Sequence, residues 1–400
     1  MNQNHNPAAT AQAPVKPLSP WTYTNAELFE LEYDAFFLRA WQWVGHVSDV
    51  PEPGDFVARE IGRDSVFVIR GKDRELRAFQ NVCRHRASRI VSGFGQCRGV
   101  IRCPYHGWTY RLDGSLLAIP QQEHFPQADL ASLGLHEIEL DVFHGLLFVR
   151  IEGDGPAVAE MFGESSDYFA KYGVDEYQRC FDDVNEVWPV NWKVAWDNYL
   201  ENYHIPVGHP ALQRLLVEND EYDEYASGVS YGTFEIRDKP SNVDAEREYQ
   251  ELFHQGCTRL PPELHGKWVQ FGITGNLGID LYPELLDIFQ LVPLSADSTM
   301  VRSAWYGHPD PSDHERRLRE LNLAINQPVN DEDRQLCTRV QLGLRTHNYR
   351  PGPLSRLEVS IARFHETVRR RIPVTSLDRA PAHGKVASEN ARLATSAAGS

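Results

Sequence analysis

Residues 81–110, NVCRHRASRIVSGFGQCRGVIRCPYHGWTY, contain two short motifs that each pair one cysteine with one histidine. The first motif places Cys83 two residues before His85, and the second places Cys103 three residues before His106. A thiolate and an imidazole are both strong metal ligands, so each motif offers half of a four-ligand set. The sequence therefore predicts two loops that close on a single metal site.

The order of the ligands indicates which metal this site holds. A structural zinc with two Cys and two His is one alternative, but its usual spacing pairs Cys with Cys and His with His. Here each loop supplies one of each, which suits a two-iron, two-sulfide cluster with both thiolates on one iron and both imidazoles on the other. We therefore favour the iron–sulfur cluster over zinc.

CRHR at 83–86 followed by CPYHGWTY at 103–110 resembles the cluster motif of the Rieske non-heme iron oxygenases, in their alpha (catalytic) subunit. One departure is Ala87, where the family commonly has Gly after CxHR. Cys97 lies between the loops, matches no ligand position, and is interpreted as a buried thiol. The resemblance implies that the [2Fe–2S] cluster is bound by Cys83, His85, Cys103 and His106.

Length and composition limit the class of protein. A chain of 400 residues is expected to form two domains, because single cores stop growing at roughly 250 to 300 residues. The formal net charge of −16 argues against nucleic acid as a general partner. No run approaches the roughly 18 apolar residues of a membrane span, and the opening has no signal-peptide core. We therefore expect a cytoplasmic protein without a membrane partner, whose six cysteines are reduced.

The resemblance and the sequence pattern together predict an α+β protein of two domains. The first is an all-β Rieske domain over residues 40–155, where short β-rich runs alternate with Gly, Asp and Asn. The second is an α+β catalytic domain over residues 21–39 and 156–377, with an antiparallel sheet of the helix-grip type that carries mononuclear iron. Residues 1–20 and 378–400 lack the apolar content to pack and are expected to be a disordered lead and tail. Two helical patterns, at 313–326 and 331–344, close the predicted fold.

A second motif, AWDNYLENYHIPVGHP at residues 195–210, contains Glu201 and His204 three residues apart, which would place them on one helical face. His204 and His209 are five apart, about 140° around a helix, and would diverge. Pro206 should end the helix and allow the chain to turn His209 back toward His204. Two imidazoles with one carboxylate form the facial triad of non-heme iron(II), which leaves positions open for dioxygen and substrate.

The resemblance carries His204 and His209 over as ligands of mononuclear iron. The carboxylate must come from elsewhere, and the acids at the start of the last predicted helix are the candidates. Spacing alone does not choose among Asp331, Glu332 and Asp333, because acids behind an Asn cap commonly serve the helix dipole. The family pattern ED-x-x-L-C selects Asp333 as the third ligand and leaves the cap role to its neighbours.

Glu201 matches the acidic residue that, in this family, bridges the Rieske cluster of one subunit to the iron of the next. A carboxylate there can accept the N–H of a cluster histidine, His106 by resemblance, and that of an iron-ligand histidine. Asn198, in the same segment, is a second candidate catalytic residue. Aromatic-ring dioxygenases usually have Asp at the bridge, whereas Glu resembles the choline, carnitine and betaine monooxygenases and related demethylases. The family also implies a homotrimer.

The resemblance implies a terminal oxygenase that activates dioxygen with electrons from elsewhere. GFGQCRG at 93–99 has the wrong spacing for a dinucleotide-binding motif, so electrons must come from a separate NAD(P)H-dependent reductase, directly or through a ferredoxin. We expect hydroxylation or oxidative N-demethylation of a small quaternary-ammonium, betaine-like substrate. The alternatives are hydroxylation of an aromatic ring or aromatic acid, and a non-catalytic Rieske electron carrier without a third iron.

Two further residue groups have both a structural and a functional interpretation. Six arginines and no acid lie between residues 81 and 111, which predicts either anchors for the cluster loops or a docking face for an acidic electron donor. Aromatic residues of the second domain could cage an ammonium group, although each one singly is more often part of a core. These candidates are Tyr203, Phe234, Trp268, Phe271, Tyr282, Phe289 and Trp305.

Overall fold

The computed structural model describes residues 16–127, 129–217, 222–224, 228–257, 259–273 and 275–398, with the backbone alone for 222–224 and 397–398. Its strands are β1 (Gln42–His46), β2 (Asp55–Ile61), β3 (Asp64–Arg70), β4 (Leu76–Gln80), β5 (Phe94–Gln96), β6 (Ile101–Arg102), β7 (Thr109–Tyr110), β8 (Leu116–Ala118), β9 (Glu137–Phe143), β10 (Leu146–Arg150), β11 (Gln178–Trp188), β12 (Tyr222–Glu224), β13 (Val229–Glu235), β14 (Lys267–Ile273), β15 (Leu277–Leu281), β16 (Leu286–Ser295) and β17 (Ser298–Gly307). Its α-helices are α1 (Ala26–Tyr33), α2 (Val158–Phe162), α3 (Ser166–Tyr172), α4 (Trp192–Tyr199), α5 (Ile205–Gly208), α6 (Pro210–Leu215), α7 (Asp244–Gln255), α8 (Asp313–Leu344), α9 (Val359–Arg371) and α10 (Val386–Ala398).

The first unit is all-β, as predicted. A seven-stranded sheet has the order β1-β10-β9-β4-β3-β2-β5, and a three-stranded sheet, β6-β7-β8, lies at one end and carries the second cysteine–histidine loop. Between the two sheets lies a core that includes Phe67, Phe79 and Tyr110, each fully buried. The runs expected around β2, β3, β4, β9 and β10 are strands. Strand β1 was not expected, and it pairs with β10 at the sheet edge.

The second unit is α+β with an antiparallel sheet, which confirms the predicted class. Its seven strands have the order β11-β17-β16-β15-β14-β13-β12, and every neighbouring pair is antiparallel. The turn at residues 295–298 joins β16 to β17. Helix α8 packs against α4, α5 and α7, and α4 in turn contacts strand β16 of the sheet.

The prediction of two closing helices is wrong, because residues 313–344 form the single helix α8. Pro328 lies inside this helix, where it removes one backbone hydrogen bond. Packing along the helix outweighs that local cost, and further helices, α9 and α10, follow it. The acids at 331–333 therefore lie in the middle of α8, and the cap role predicted for Asp331 and Glu332 is also wrong.

The chain ends also differ from expectation where they are described. Leu18 is buried within the expected lead, and residues 1–15 of that lead lie outside the described residues. The expected tail contains helix α10, which packs against α1 and buries Val386. A few apolar side chains suffice for this, because they add to an existing core rather than form one of their own.

The two sheets share a buried cluster in addition to their separate cores. Phe36 and Phe37 pack against Trp192, with ring centroids 5.4 Å and 5.2 Å apart. The same cluster includes Val57 of the first sheet and Leu291 of the second. Residues 21–39 thus contact both units and hold them together. No helix in the described ranges is long and apolar enough to cross a membrane.

Candidate metal centres

The two cysteine–histidine loops are closed in the same way. The carbonyl of Cys83 accepts a hydrogen bond from the N–H of Ala87, and the carbonyl of Cys103 accepts one from Gly107, both at 3.1 Å. Ala87 has φ +56° and Gly107 has φ +72°, so each loop turns through a left-handed residue. Glycine adopts this conformation freely, whereas a side chain costs about 1 to 2 kcal/mol. The departure noted at Ala87 is therefore a point of backbone strain.

The thiols of Cys83 and Cys103 are buried beneath the loops. Tyr110, also buried, places its hydroxyl 3.3 Å from the Cys83 Sγ. Burial raises the pKa of the Cys83 thiol, and a bound cation is what would hold it as a thiolate. Cys97 is half-buried outside this group, and burial raises the pKa of its thiol to about 11.

The imidazole rings of His85 and His106 lie next to each other. The rings of His85 and His106 are 4.6 Å apart at 71°, and His85 stacks on Trp108 at 4.9 Å and 4°. The Nδ1 of His85 is buried and has no hydrogen-bond partner among the described residues, as expected of a ligand atom. His106 is exposed next to Tyr105, whose side chain is 56% exposed. These donors fit a [2Fe–2S] cluster, of whose two histidine residues His106 is the exposed one.

The second motif folds differently from the predicted helix. Helix α4 ends at Tyr199, and Pro206 lies in the first turn of α5, where proline is tolerated. Glu201 and His204 thus do not share a helical face, and that prediction is wrong. The loop nevertheless brings the Glu201 carboxylate back, where it accepts hydrogen bonds from the His204 backbone N–H at 3.1 Å and from Nδ1 at 2.5 Å.

Three ligand atoms of the second motif and α8 converge on one point. The Nε2 atoms of His204 and His209 are 3.0 Å apart, and Asp333 Oδ1 is 3.5 Å from the first and 3.0 Å from the second. Two bonds of about 2.1 Å at right angles would place their ends about 3.0 Å apart. The three donors thus have the spacing of a facial triad, and the turn expected between the two histidines is present.

Each histidine of this group is held by a carboxylate on its other nitrogen. Glu201 binds Nδ1 of His204, and Glu332 binds Nδ1 of His209 at 2.9 Å. This arrangement fixes the ring so that Nε2 faces the third donor, as in metal sites with a histidine–carboxylate pair. The sequence analysis gave Glu332 a cap role and did not predict its contact with His209. Asn198 lies beside the group, with Nδ2 3.4 Å from His204 Nε2.

The pKa values of His204 and Asp333 are set mainly by the groups of the site itself. Burial lowers the pKa of His204, but the hydrogen bonds and charges of Asp333 and Glu201 outweigh it and raise that pKa to about 9. Burial likewise raises the pKa of Asp333, and the two histidines outweigh it and lower that pKa. Without metal, His204 is therefore protonated at neutral pH, and a metal ion must displace a proton to bind.

A cavity of about 130 Å³, here called the inner cavity, adjoins the triad. A wider cavity of about 610 Å³ lies next to it, and the exposed Tyr203 lines that one. Phe271 is buried in the core, and Trp305 lines a different cavity. The predicted aromatic residues that line the inner cavity are Phe234, Trp268, Tyr282 and Phe289. The inner cavity also contains Asp280 and Asp287, which the sequence analysis did not single out.

Some of the arginines near the loops have local partners. Arg84 donates to the Gly134 carbonyl at 2.9 Å, which supports an anchoring role for this residue. The Arg86 guanidinium lies over the Tyr105 ring at 5.5 Å. Their use as a docking face stays a prediction.

Two family models match the chain. The "Rieske [2Fe-2S] domain" matches residues 40–133, and the "Ring hydroxylating alpha subunit (catalytic domain)" matches residues 169–374, which is more than half of the chain. Each match contains one of the two candidate centres. The match to the catalytic domain therefore covers His204, His209 and Asp333 in one model.

Similar proteins match this chain over most of their own length. The carnitine monooxygenase oxygenase subunit of Acinetobacter pittii is 28% identical over 82% of this chain and 85% of its own length. The glycine betaine monooxygenase oxygenase subunit of Chromohalobacter salexigens is 29% identical over 84% and 80%. A crystal structure of a quaternary ammonium Rieske monooxygenase, 25% identical, superposes with a TM-score of 0.75 over 90% of this chain and 96% of that one. The chain is therefore an oxidoreductase that belongs to the ring-hydroxylating oxygenases, as an alpha subunit that combines a Rieske [2Fe–2S] cluster with mononuclear iron and uses dioxygen as co-substrate.

Proposed function

We propose that the chain is the terminal oxygenase of a system that hydroxylates or oxidatively N-demethylates a small quaternary-ammonium compound. The similar proteins named above are oxygenases of carnitine and glycine betaine, and the solved neighbour is a quaternary ammonium monooxygenase. The observation that carries the proposal is the aromatic-walled inner cavity directly beside the three converging donors. A substrate in this cavity would lie next to the triad.

The proposed ligand sets follow the geometry of the donors. The cluster would be held by Cys83, His85, Cys103 and His106, and the mononuclear iron by His204, His209 and Asp333. When bound, these two centres supply electron relay and dioxygen activation. The chain's own contribution is to orient the ligands, which Glu201 and Glu332 do through hydrogen bonds to the histidine Nδ1 atoms.

The aromatic walls are proposed to hold the ammonium group. Trp268 and Tyr282 meet edge to face, with ring centroids 4.8 Å apart, and both line the inner cavity. A cation over an aromatic face gains about 0.5 to 1 kcal/mol at an exposed site and about 2 kcal/mol or more when water is excluded. Asn198, also in the wall, is proposed as a polar contact for substrate or dioxygen next to His204.

Electron transfer is proposed to run between subunits of a homotrimer. Glu201 lines an outward groove, together with the exposed side chains of Val340 and Tyr349. His106 is exposed on the first unit, so His106 of the partner subunit could donate its N–H to Glu201 across such an interface. A separate NAD(P)H-dependent reductase, directly or through a ferredoxin, would reduce the cluster. If the arginines near the loops dock an acidic donor, added salt will steeply slow this reduction.

The proposal is tested by metal content and by substrate range. Purified protein should contain about three irons and two acid-labile sulfides per chain. With a surrogate reductase and NADH, a betaine panel and an aromatic-acid panel are compared by product formed per NADH consumed. Product from the aromatic panel alone would contradict the substrate class, and two irons with no third would support the electron carrier instead.

A further inference from the structure

Two carboxylates face each other on the sheet that forms the floor of the inner cavity. Asp280 of β15 and Asp287 of β16 are register partners in an antiparallel pair, and both line the cavity. Residues directly opposite each other in such a pair have Cβ atoms about 4.5 to 5.5 Å apart, and like charges there are destabilising. Departures of this kind from local rules are expected at functional or strained sites of a natural protein.

The partners of these two carboxylates are neutral. Tyr199 donates its hydroxyl to Asp280 at 2.9 Å, and Gln270 also bonds Asp280. The indole of Trp305 bonds Asp287. Among the described residues that line the cavity, none is lysine or arginine, and the two histidines belong to the triad. The described wall therefore offers no lysine or arginine as a counter-charge for these two carboxyl groups.

The ionisation of the pair reflects its burial. Burial raises the pKa of Asp280 to about 7, against the opposing hydrogen bonds of Tyr199 and Gln270. Burial, and then the charge of Asp280, raise the pKa of Asp287 well above its usual range. A cation placed between them would favour the ionised forms and would restore the charge balance.

The charge of the cavity also disfavours certain ligands. A short betaine carries a carboxylate one carbon from its nitrogen, so a nitrogen held near Asp280 and Asp287 brings a third carboxylate next to them. Arg237 could pair with such a group, but it lines the wider outer cavity, where its Nε donates to the Leu216 carbonyl at 2.5 Å. Without a lysine or arginine in its described wall, the inner cavity offers no cationic side chain to pair with an acid.

We infer that Asp280 and Asp287 are specificity-determining residues that select a cation without a carboxylate, such as an amino alcohol with a quaternary nitrogen, over a short zwitterionic betaine. The inference rests on the proposed function of the site and narrows its substrate class. The neutral aromatic wall binds either kind of ammonium group. Once that group ionises the two carboxyl groups, their charge disfavours a ligand that also carries an acid.

The inference is tested by binding to the full-length, metal-loaded protein in its oxidised state, without reductase, by isothermal titration calorimetry. The probes are choline, glycine betaine, which has a carboxylate in place of the hydroxymethyl group, and 3,3-dimethylbutan-1-ol, which has carbon in place of nitrogen. We expect choline to bind at least about tenfold more tightly than either of the others. Each of the other two probes leaves one charge in the cavity without a partner, which lowers the affinity by about tenfold or more. Equal or tighter binding of glycine betaine overturns the inference and leaves a quaternary-ammonium substrate intact. Binding of neither cation overturns the proposed substrate class and the inference together.

Substitutions of the two aspartates distinguish the loss of a charge from the loss of the folded cavity. Asp287→Asn and Asp280→Asn should each weaken choline binding roughly tenfold and leave the binding of the neutral carbon analogue unchanged, because only the charge is lost. Retained binding of that analogue shows that the cavity is still formed. Asp297→Asn is the matched control, since Asp297 lies outside the cavity and pairs with Arg345 at the surface. Unchanged choline affinity in both cavity variants overturns the inference.

Discussion

The two candidate centres differ in how the chain builds them. The Rieske loops take their four donors from residues 83–106, and His106 is left exposed. The triad takes two donors from a loop around α5 and the third from α8, and His209 is 1% exposed. An electron-accepting centre must be reached by a partner, whereas oxygen chemistry needs a site closed to bulk water. The same chain thus meets two opposite requirements with a local surface motif and a non-local buried one.

The largest expected effect is the loss of one metal centre while the other is kept. Asp333→Ala should remove the mononuclear iron and lower turnover by at least about a hundredfold, since a facial triad needs its carboxylate. The visible absorbance of the cluster should persist, because the loops lie in a separate sheet. Iron and sulfide analysis checks this, with an expected change from about three irons to two per two sulfides. Bleached absorbance would show that the two centres are not independent.

Glu201→Gln tests the connection between the centres. The variant should keep both metals but slow reoxidation of the pre-reduced cluster roughly 10- to 100-fold, because Gln holds the histidine Nδ1–H less strongly than a carboxylate. Stopped-flow absorbance of the cluster after mixing with oxygen and substrate measures this rate. Asp197→Asn, in the same segment but bonded to Tyr23 and His365, provides a comparison variant. Wild-type reoxidation in Glu201→Gln would remove its bridging role.

Glu332→Gln tests whether a carboxylate orients His209 in the buried triad. Its carboxylate bonds His209 Nδ1, so its loss should weaken metal binding about tenfold, as for other carboxylates that orient ligands. Competition with a chelator, read as iron retained per chain, measures the effect. Asp331→Asn is the control, because Asp331 is a neighbouring acid that pairs only with Arg334 at the surface. Equal iron retention in both variants would contradict a positioning role for Glu332.

The smallest expected effect concerns the strained Rieske loop. Ala87→Gly should stabilise the loaded protein by about 1 kcal/mol, because glycine accepts the left-handed φ of +56° without strain. Gly107→Ala, at the equivalent turn of the other loop, should destabilise it by a similar or larger amount. Thermal unfolding followed by loss of cluster absorbance compares the two. A lower melting temperature for Ala87→Gly would show that the loop is not strained at this residue.

Much of the first unit could be predicted because its signals are local. The runs at β2, β3, β9 and β10 alternate with turn residues, and the cysteine–histidine spacing points to one site without any knowledge of the fold. Less of the second unit could be predicted. Helix α8 was divided in two at the polar stretch around Pro328, because the packing that holds it together comes from α4 and α7.

The candidate triad shows the same division within a single site. His204 and His209 lie in one motif, and the proline between them indicated a turn. Asp333 followed from family resemblance, and Glu332 was assigned a cap role that the structure corrects. The wrong assignment has a physical cause, since an acid near an apparent helix start is ordinarily a cap residue.

The sequence by itself determined the class of the protein, because cluster ligands and iron-binding histidines are specified by residue type and short spacing along one stretch of chain. Only the tertiary structure decided which carboxylates face which groups. Asp280, Asp287 and Glu332 are ordinary acids in the sequence, and their importance comes from the residues brought next to them across the sheet and the long helix. Their surroundings depend on non-local packing, which no short stretch of sequence encodes.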